Sequence, residues 1–387
     1  MRGQVLPVQD NPVGGVGSHV IRGFDGLRAF AVLAVFLFHV NLYKFGFGWL
    51  GVSFFFVLSG FLITTILLRM RESLPVKEYF QKFYGRRLLR IFPPYYFYLL
   101  VVALLFLLRS LKIFTPLQVQ LETVIWPQFP YAFFYVYNFF NAGSKFVISS
   151  FLTHFWSLAV EEQFYIIWPL ILLLAPVKKL GRIFWVTILL GPIFRLATYL
   201  IYTRYNLPFL SEDVYLAVYV LPFSQVDAFA TGAYVSQFRI PHARKQLLLV
   251  AVVAPILGYL SQYLSTGFVD FDSLGYEFRM WTGYKFIWGY SLLNYFFALV
   301  IYNVRHEQLF LPLLEQKFLE YIGRISYGVY IYHVPIIYTI FTYMPNVTFW
   351  IRTLLAFAVT IGVAALSYHI LEKPILDLKD RFFPLKS

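Results

Sequence analysis

Phe24-Asp25-Gly26-Leu27-Arg28-Ala29-Phe30-Ala31-Val32-Leu33-Ala34-Val35-Phe36-Leu37-Phe38-His39-Val40 carries Asp25, Arg28 and His39 in an otherwise apolar run. A run of this kind predicts a helix that crosses a membrane. Arg28 and His39 are eleven residues apart, and eleven steps of roughly 100° return to within about 20° of the start. Both side chains therefore share one helix face, roughly 16 Å apart along the axis. That separation is about half the hydrocarbon thickness. Ionisable groups inside a bilayer are costly, so a cation near one surface and an imidazole deeper on the same face point to a functional site.

The whole chain supports that setting. Of its 387 residues 59% are hydrophobic and 13% charged, with mean hydropathy +0.67, against about 25% charged in a soluble domain. The composition predicts an all-α polytopic membrane bundle with about ten transmembrane helices, near 26–43, 49–68, 92–110, 154–176, 183–203, 214–236, 246–264, 286–303, 322–343 and 349–371. With no cysteine, disulfides, thiolate metal sites and cysteine nucleophiles are excluded. With the N-terminus placed inside, the inner segments hold 22 Lys and Arg and the outer ones eight. This bias predicts both termini in the cytoplasm of a multi-pass protein of the inner (plasma) membrane. The net charge of +13 follows from that topology and from attraction to anionic lipid heads, so no nucleic-acid partner is expected. Residues 1–20 read as a flexible tail with no cleaved signal, 21–375 as the membrane domain and 376–387 as a cytoplasmic tail. Residues 121–140, with two prolines and many aromatics, read as an outer lid or re-entrant segment.

Two further passages carry chemistry. In Tyr84-Gly85-Arg86-Arg87-Leu88-Leu89-Arg90, Arg87 and Arg90 are neighbours on a helix surface, with Arg86 one turn before Arg90. Such a cluster suits phosphate, or a positive-inside anchor beside Pro93-Pro94. Asp25 reads as the N-cap of the first helix, which puts Arg28 in a first turn that favours anions over cations. In His154-Phe155-Trp156-Ser157-Leu158-Ala159-Val160-Glu161-Glu162-Gln163-Phe164-Tyr165-Ile166-Ile167-Trp168, two carboxylates run into apolar sequence, and at least one should face a polar environment. Trp156, Tyr165 and Trp168 offer stacking surfaces for carbohydrate, although aromatic belts occur at this depth anyway. Gly51, Ser53, Ser59 and Gly60 read as helix-packing residues. Asp227 and Arg195 fall inside predicted spans and read as a structural ion pair. No pair of histidines has metal-ligand spacing, so no metal is expected.

The chain resembles the acyltransferase-3 family of membrane acyltransferases. The resemblance rests on Phe24 to Arg28 with His39; Gly51 to Thr65; Tyr84 to Pro93; Phe155 to Pro169; Ile325-Ser326-Tyr327-Gly328-Val329-Tyr330-Ile331-Tyr332-His333-Val334-Pro335; and Glu372-Lys373-Pro374. It implies an O-acyltransferase that moves an acyl group, usually acetyl, from cytoplasmic acetyl-CoA or another acyl-CoA to a hydroxyl of an outer-face carbohydrate or glycolipid such as lipopolysaccharide or exopolysaccharide. Arg86, Arg87, Arg90 and Arg28 would meet the CoA phosphates. His39 would act as general base or as acyl acceptor. Glu161 would orient His39 or the acceptor. His333 matches a family position with packing and direct roles both open, while His19, His154, His242 and His306 are assigned no chemistry. The SGNH-type esterase extension of some members is not expected here. The alternatives are a small secreted acceptor such as a macrolide, or a transporter of an anionic or lipid-linked sugar, against which no inverted repeat is visible.

Overall fold

The computed structural model describes residues 21–40, 45–111, 124–205 and 207–384; the expected tail at 1–20 lies outside them. The described residues are predominantly helical, with one isolated bridge between Gly143 and Leu210 and no strand. The helices are α1 (Phe24–Val40), α2 (Leu50–Ser73), α3 (Val76–Ser110), α4 (Trp126–Phe133), α5 (Tyr137–Asn141), α6 (Phe155–Leu174), α7 (Leu180–Arg204), α8 (Val214–Val220), α9 (Val226–Gln237), α10 (Ala243–Thr266), α11 (Lys285–Glu307), α12 (Lys317–Arg324), α13 (Ser326–Tyr343), α14 (Phe349–Ser367) and α15 (Lys373–Asp377). Among the described residues seven helices are long and apolar enough to cross a bilayer, and α8 with the segment ending at Gln237, bent by 64°, makes an eighth if the pair is one span. The 17-residue α1 and the tyrosine-rich α13 occupy the other two expected spans.

Two boundaries differ from expectation. Leu74 and Pro75 alone separate α2 from α3, because charged residues extend both helices beyond the apolar core. The arginine cluster therefore lies on α3 itself, which runs unbroken through Pro93 and Pro94. Asp25 is not an N-cap. Gly23, at φ +77°, turns the chain into α1 so that the helix starts at Phe24, and Asp25 pairs from the first turn with Arg28.

The centre of the bundle rests on close backbone approach between α2 and α9. A Cβ added at Gly60 would lie 2.0 Å from the Phe229 carbonyl, and one at Gly232 would lie 1.9 Å from the Val57 carbonyl. No residue larger than glycine fits either position. Gly60 thus packs as expected, whereas Ser59 beside it is turned to a polar task.

Residues 124–141 form two helices of eight and five residues. Eight residues reach only about 12 Å, too short to cross. The segment packs between α3 and α6. Tyr95 and Tyr96 donate to the carbonyls of Ala132 and Phe133 at 2.6 and 3.1 Å, and Gln163 donates to that of Tyr135 at 2.8 Å. Irregular backbone survives at this depth because protein groups satisfy it. Exposed Trp126, Tyr131, Phe133 and Phe134 cover its outer side.

The bend between α8 and α9 is held by a buried network. Arg195 on α7 is fully buried and forms a fork with Asp227 at 3.0 and 2.9 Å. It also donates to the carbonyls of Ser224 and Ile287 and to Ser291 Oγ. Every donor in this fork is used, which makes the expected ion pair a staple for the bend. Arg195→Ala strands the Asp227 carboxylate and should cost about 3–5 kcal/mol, read as a fall in the thermal unfolding midpoint in detergent; replacing both residues by leucine should recover most of the loss.

Candidate active site

The site is built by four helices whose polar residues fall on three levels. α1, α3 and α13 run from one end of the bundle to the other in the same sense, and α6 runs back between them. At the first level are Arg28 on α1, Arg87 and Arg90 on α3, and Tyr165 on α6. Arg28 is in the electrostatic reach of Arg90 and Arg87, and the Arg87 guanidinium sits 4.9 Å over the Tyr165 ring. The π-helical turn Tyr368–Glu372 brings Glu372 into the reach of Arg90. Among the described residues only Asp25 makes a direct ion pair with these three guanidinium groups, a cluster suited to a polyanion. Arg86 is not part of it: it donates to Asp380 and to the Phe383 carbonyl at 2.8 and 2.9 Å, tying α3 to the C-terminal turn. Arg22 forks onto Glu315 at 2.7 and 2.6 Å and holds that carboxyl below its ordinary range, fixing the chain where it enters α1.

At the second level, Glu161 accepts from Ser59 Oγ and from Tyr165 Oη. Its carboxylate feels Arg87. Glu161 is therefore anchored by Ser59 and Tyr165, and the hydrogen-bond partners of His39 are Val35 and His333, so Glu161 does not orient the imidazole as expected. Beside it stand Glu162 and Tyr327, whose hydroxyl donates to the Ile91 carbonyl at 3.2 Å.

At the third level three imidazoles meet. His39 Nδ1 lies 2.9 Å from the Val35 carbonyl and 3.3 Å from His333 Nε2. A carbonyl only accepts, so His39 Nδ1 carries a proton, and in the neutral ring Nε2 keeps the lone pair. The same reasoning protonates His333 Nδ1, 2.6 Å from the Tyr330 carbonyl, and leaves its Nε2 to accept from His39. His154 Nε2 donates to the Ile331 carbonyl at 3.0 Å, with its ring 5.4 Å from that of His333. Tyr330 Oη lies 2.5 Å from Ser157 Oγ and donates to the His154 carbonyl at 3.0 Å. His39 is the one of the three that keeps partial exposure. Its Nδ1 is fixed by partners that accept a hydrogen bond, an arrangement that steadies an imidazolium if Nε2 of the neutral ring takes up a proton. Among the described residues no group of three or more His, Cys, Asp or Glu is placed to hold a metal ion.

The partner of His39 is thus His333, on the helix whose role the sequence left open, and His154, set aside in the sequence, completes the cluster. The signal was the spacing Tyr327, Tyr330, His333, which follows one face of α13 toward α1. The aromatic residues are placed differently from expectation. Trp168 is buried and donates to Thr64 Oγ1 at 2.8 Å, stacked near Phe164 and Phe184. Trp156 is buried against Tyr219 and Phe56. Tyr165 is covered by Arg87. Packing has used the ring faces that the sequence offered to a sugar.

Residues 21–369 match the acyltransferase-3 family, described as an acyltransferase domain. The chain is 32% identical over 375 residues to the "Peptidoglycan O-acetyltransferase OatA" of Listeria monocytogenes serovar 1/2a, covering 92% of this chain and 56% of that protein. It is 31% identical to the "Putative peptidoglycan O-acetyltransferase YrhL" of Bacillus subtilis strain 168, covering 92% and 55%. The chain therefore spans about half the length of the curated relatives it matches. No solved structure matches it.

The hydrogen-bond assignment is open to direct measurement. In protein labelled with ¹⁵N-histidine, His39 should give the Nδ1-protonated signature at neutral pH, and His333→Ala should mix in the other tautomer; an Nε2-protonated His39 in the unaltered protein would refute the assignment.

Proposed function

The chain belongs to the acyltransferase-3 family, and from that membership we propose that it transfers an acetyl group from cytoplasmic acetyl-CoA to a hydroxyl of an envelope carbohydrate on the far side of the membrane. The observation that carries this reading is His39, whose Nε2 has no hydrogen-bond partner among the described residues, on the same face of α1 as Arg28 and its companion arginines. The two are separated by about 16 Å. The relatives named as peptidoglycan O-acetyltransferases support a glycan acceptor; lipopolysaccharide and exopolysaccharide belong to the same chemical class. The charge bias supports the Arg28 end as the cytoplasmic one.

In this reading Arg28, Arg87 and Arg90 take the phosphates of the donor, fixing the thioester toward the histidines. The acceptor hydroxyl loses its proton to His39 Nε2 as its oxygen bonds to the thioester carbonyl carbon. The carbon–sulfur bond then breaks, the acetyl ester remains on the acceptor, and the proton on His39 passes to the departing sulfur to give CoA thiol. His333 Nε2 accepts from His39 Nδ1–H throughout and is a positioning residue. Glu161, held by Ser59 and Tyr165, balances the charge of Arg87 along the route.

His39→Ala should lower transfer by at least about 10²-fold while the protein still inserts, and Arg87→Ala should raise the donor KM with kcat largely retained. Both are read from transfer of radiolabelled acetyl in proteoliposomes. Mass spectrometry of envelope glycans from cells with and without the gene should show a lost acetyl mass; wild-type transfer by His39→Ala would overturn the reading.

A further inference from the structure

Between the arginines and the histidines, two polar atoms are sealed from solvent with no hydrogen-bond partner among the described residues. They are Glu162 Oε1 and the Tyr135 hydroxyl. Buried polar atoms are rarely left unpaired, because each one costs its desolvation without a return. The two belong to one place. Tyr135 is in the electrostatic reach of Glu162 and of Tyr327, and Glu162 is in that of Arg87. Yet the hydroxyl does not donate to the carboxylate.

Tyr135 is also held there against its backbone preference. It joins α4 to α5 at φ +54°, a left-handed conformation that a bulky side chain adopts only when the surroundings enforce it. Its ring stacks on Tyr95 with centroids 4.1 Å apart, and the residue is 8 % exposed. Gln163 fixes its carbonyl at 2.8 Å. The turn thus drives a phenol from the segment 124–141 toward Glu162 and Tyr327, between α3, α6 and α13.

We propose that Glu162 and Tyr135 form the subsite for the pantetheine arm of the donor, reading one of its amides: the carboxylate accepts from the amide N–H and the phenol donates to the amide C=O. This rests on the donor reading of the preceding subsection and deepens it. A donor bound by phosphate at Arg87 and presenting its thioester at His39 must lay its linker across the level of Glu162. One unpaired acceptor beside one unpaired donor is the complement of a secondary amide. An alkyl linker would leave both groups unpaired.

The test uses the full chain in proteoliposomes with three donors: acetyl-CoA, S-acetylpantetheine, and an S-acetyl alkanethiol of the same length without amides. The unaltered protein should prefer S-acetylpantetheine to the amide-free thioester by about tenfold or more, the worth of one or two hydrogen bonds. Tyr135→Phe and Glu162→Met should each erase most of that preference and raise the acetyl-CoA KM, leaving the acceptor KM unchanged. Glu162→Gln, which keeps an acceptor oxygen, should restore part of it. Monodisperse elution in detergent checks that each variant is folded, and Tyr135→Phe retains the ring and its stacking. If the variants raise the acceptor KM instead, or if the amide preference survives them, the subsite is overturned while the donor reading stands. If no acetyl thioester supports transfer by the unaltered protein, the donor reading fails and the subsite with it.

Discussion

A charged or hydrogen-bonding group inside a bilayer-crossing bundle has no water to fall back on, and every such group must find its partner in protein. That constraint organises this molecule. Where the partners are all present the result is structural: Arg195 uses its whole fork on Asp227, Ser291 and two carbonyls, and thereby fixes the bend before α9. Where a partner is missing among the described residues, as at Glu162 and Tyr135, the polar groups lie between the arginine level and the histidine level.

The imidazole cluster shows how the constraint shapes chemistry. Each of the three histidines gives one N–H to a backbone carbonyl within a helix, Val35 on α1 and Tyr330 and Ile331 on α13. In the neutral rings these bonds choose the tautomers and leave the lone pair of His39 on Nε2. Tyr330 and Ser157 brace the same level from α13 and α6. The arginine level is built in another way, from side chains on α1 and α3 assembled by helix packing, with Glu372 supplied by a π-helical turn of the kind that recurs at functional sites.

The segment 124–141 links the two themes. Its prolines and aromatics announced that it was neither an ordinary loop nor a span. Its carbonyls are satisfied by Tyr95, Tyr96 and Gln163, and its outer face is aromatic. What it contributes inward, the Tyr135 phenol, depends on a single left-handed residue that no period in the sequence marks.

The sequence by itself determined the class of the molecule, its ten apolar segments, the Arg28–His39 face, the Arg87–Arg90 pair and the Arg195–Asp227 pairing. These depend on composition and on the fixed 3.6-residue period, which act over one helix at a time. The tertiary structure alone decided that His39 is served by His333 and not by Glu161, that Arg86 is spent on the C-terminal turn, and that Trp156 and Trp168 are packed away. Those outcomes depend on which helix faces meet, and close approaches such as Gly60 to Phe229 set the meeting by fitting backbones that lie far apart in the chain.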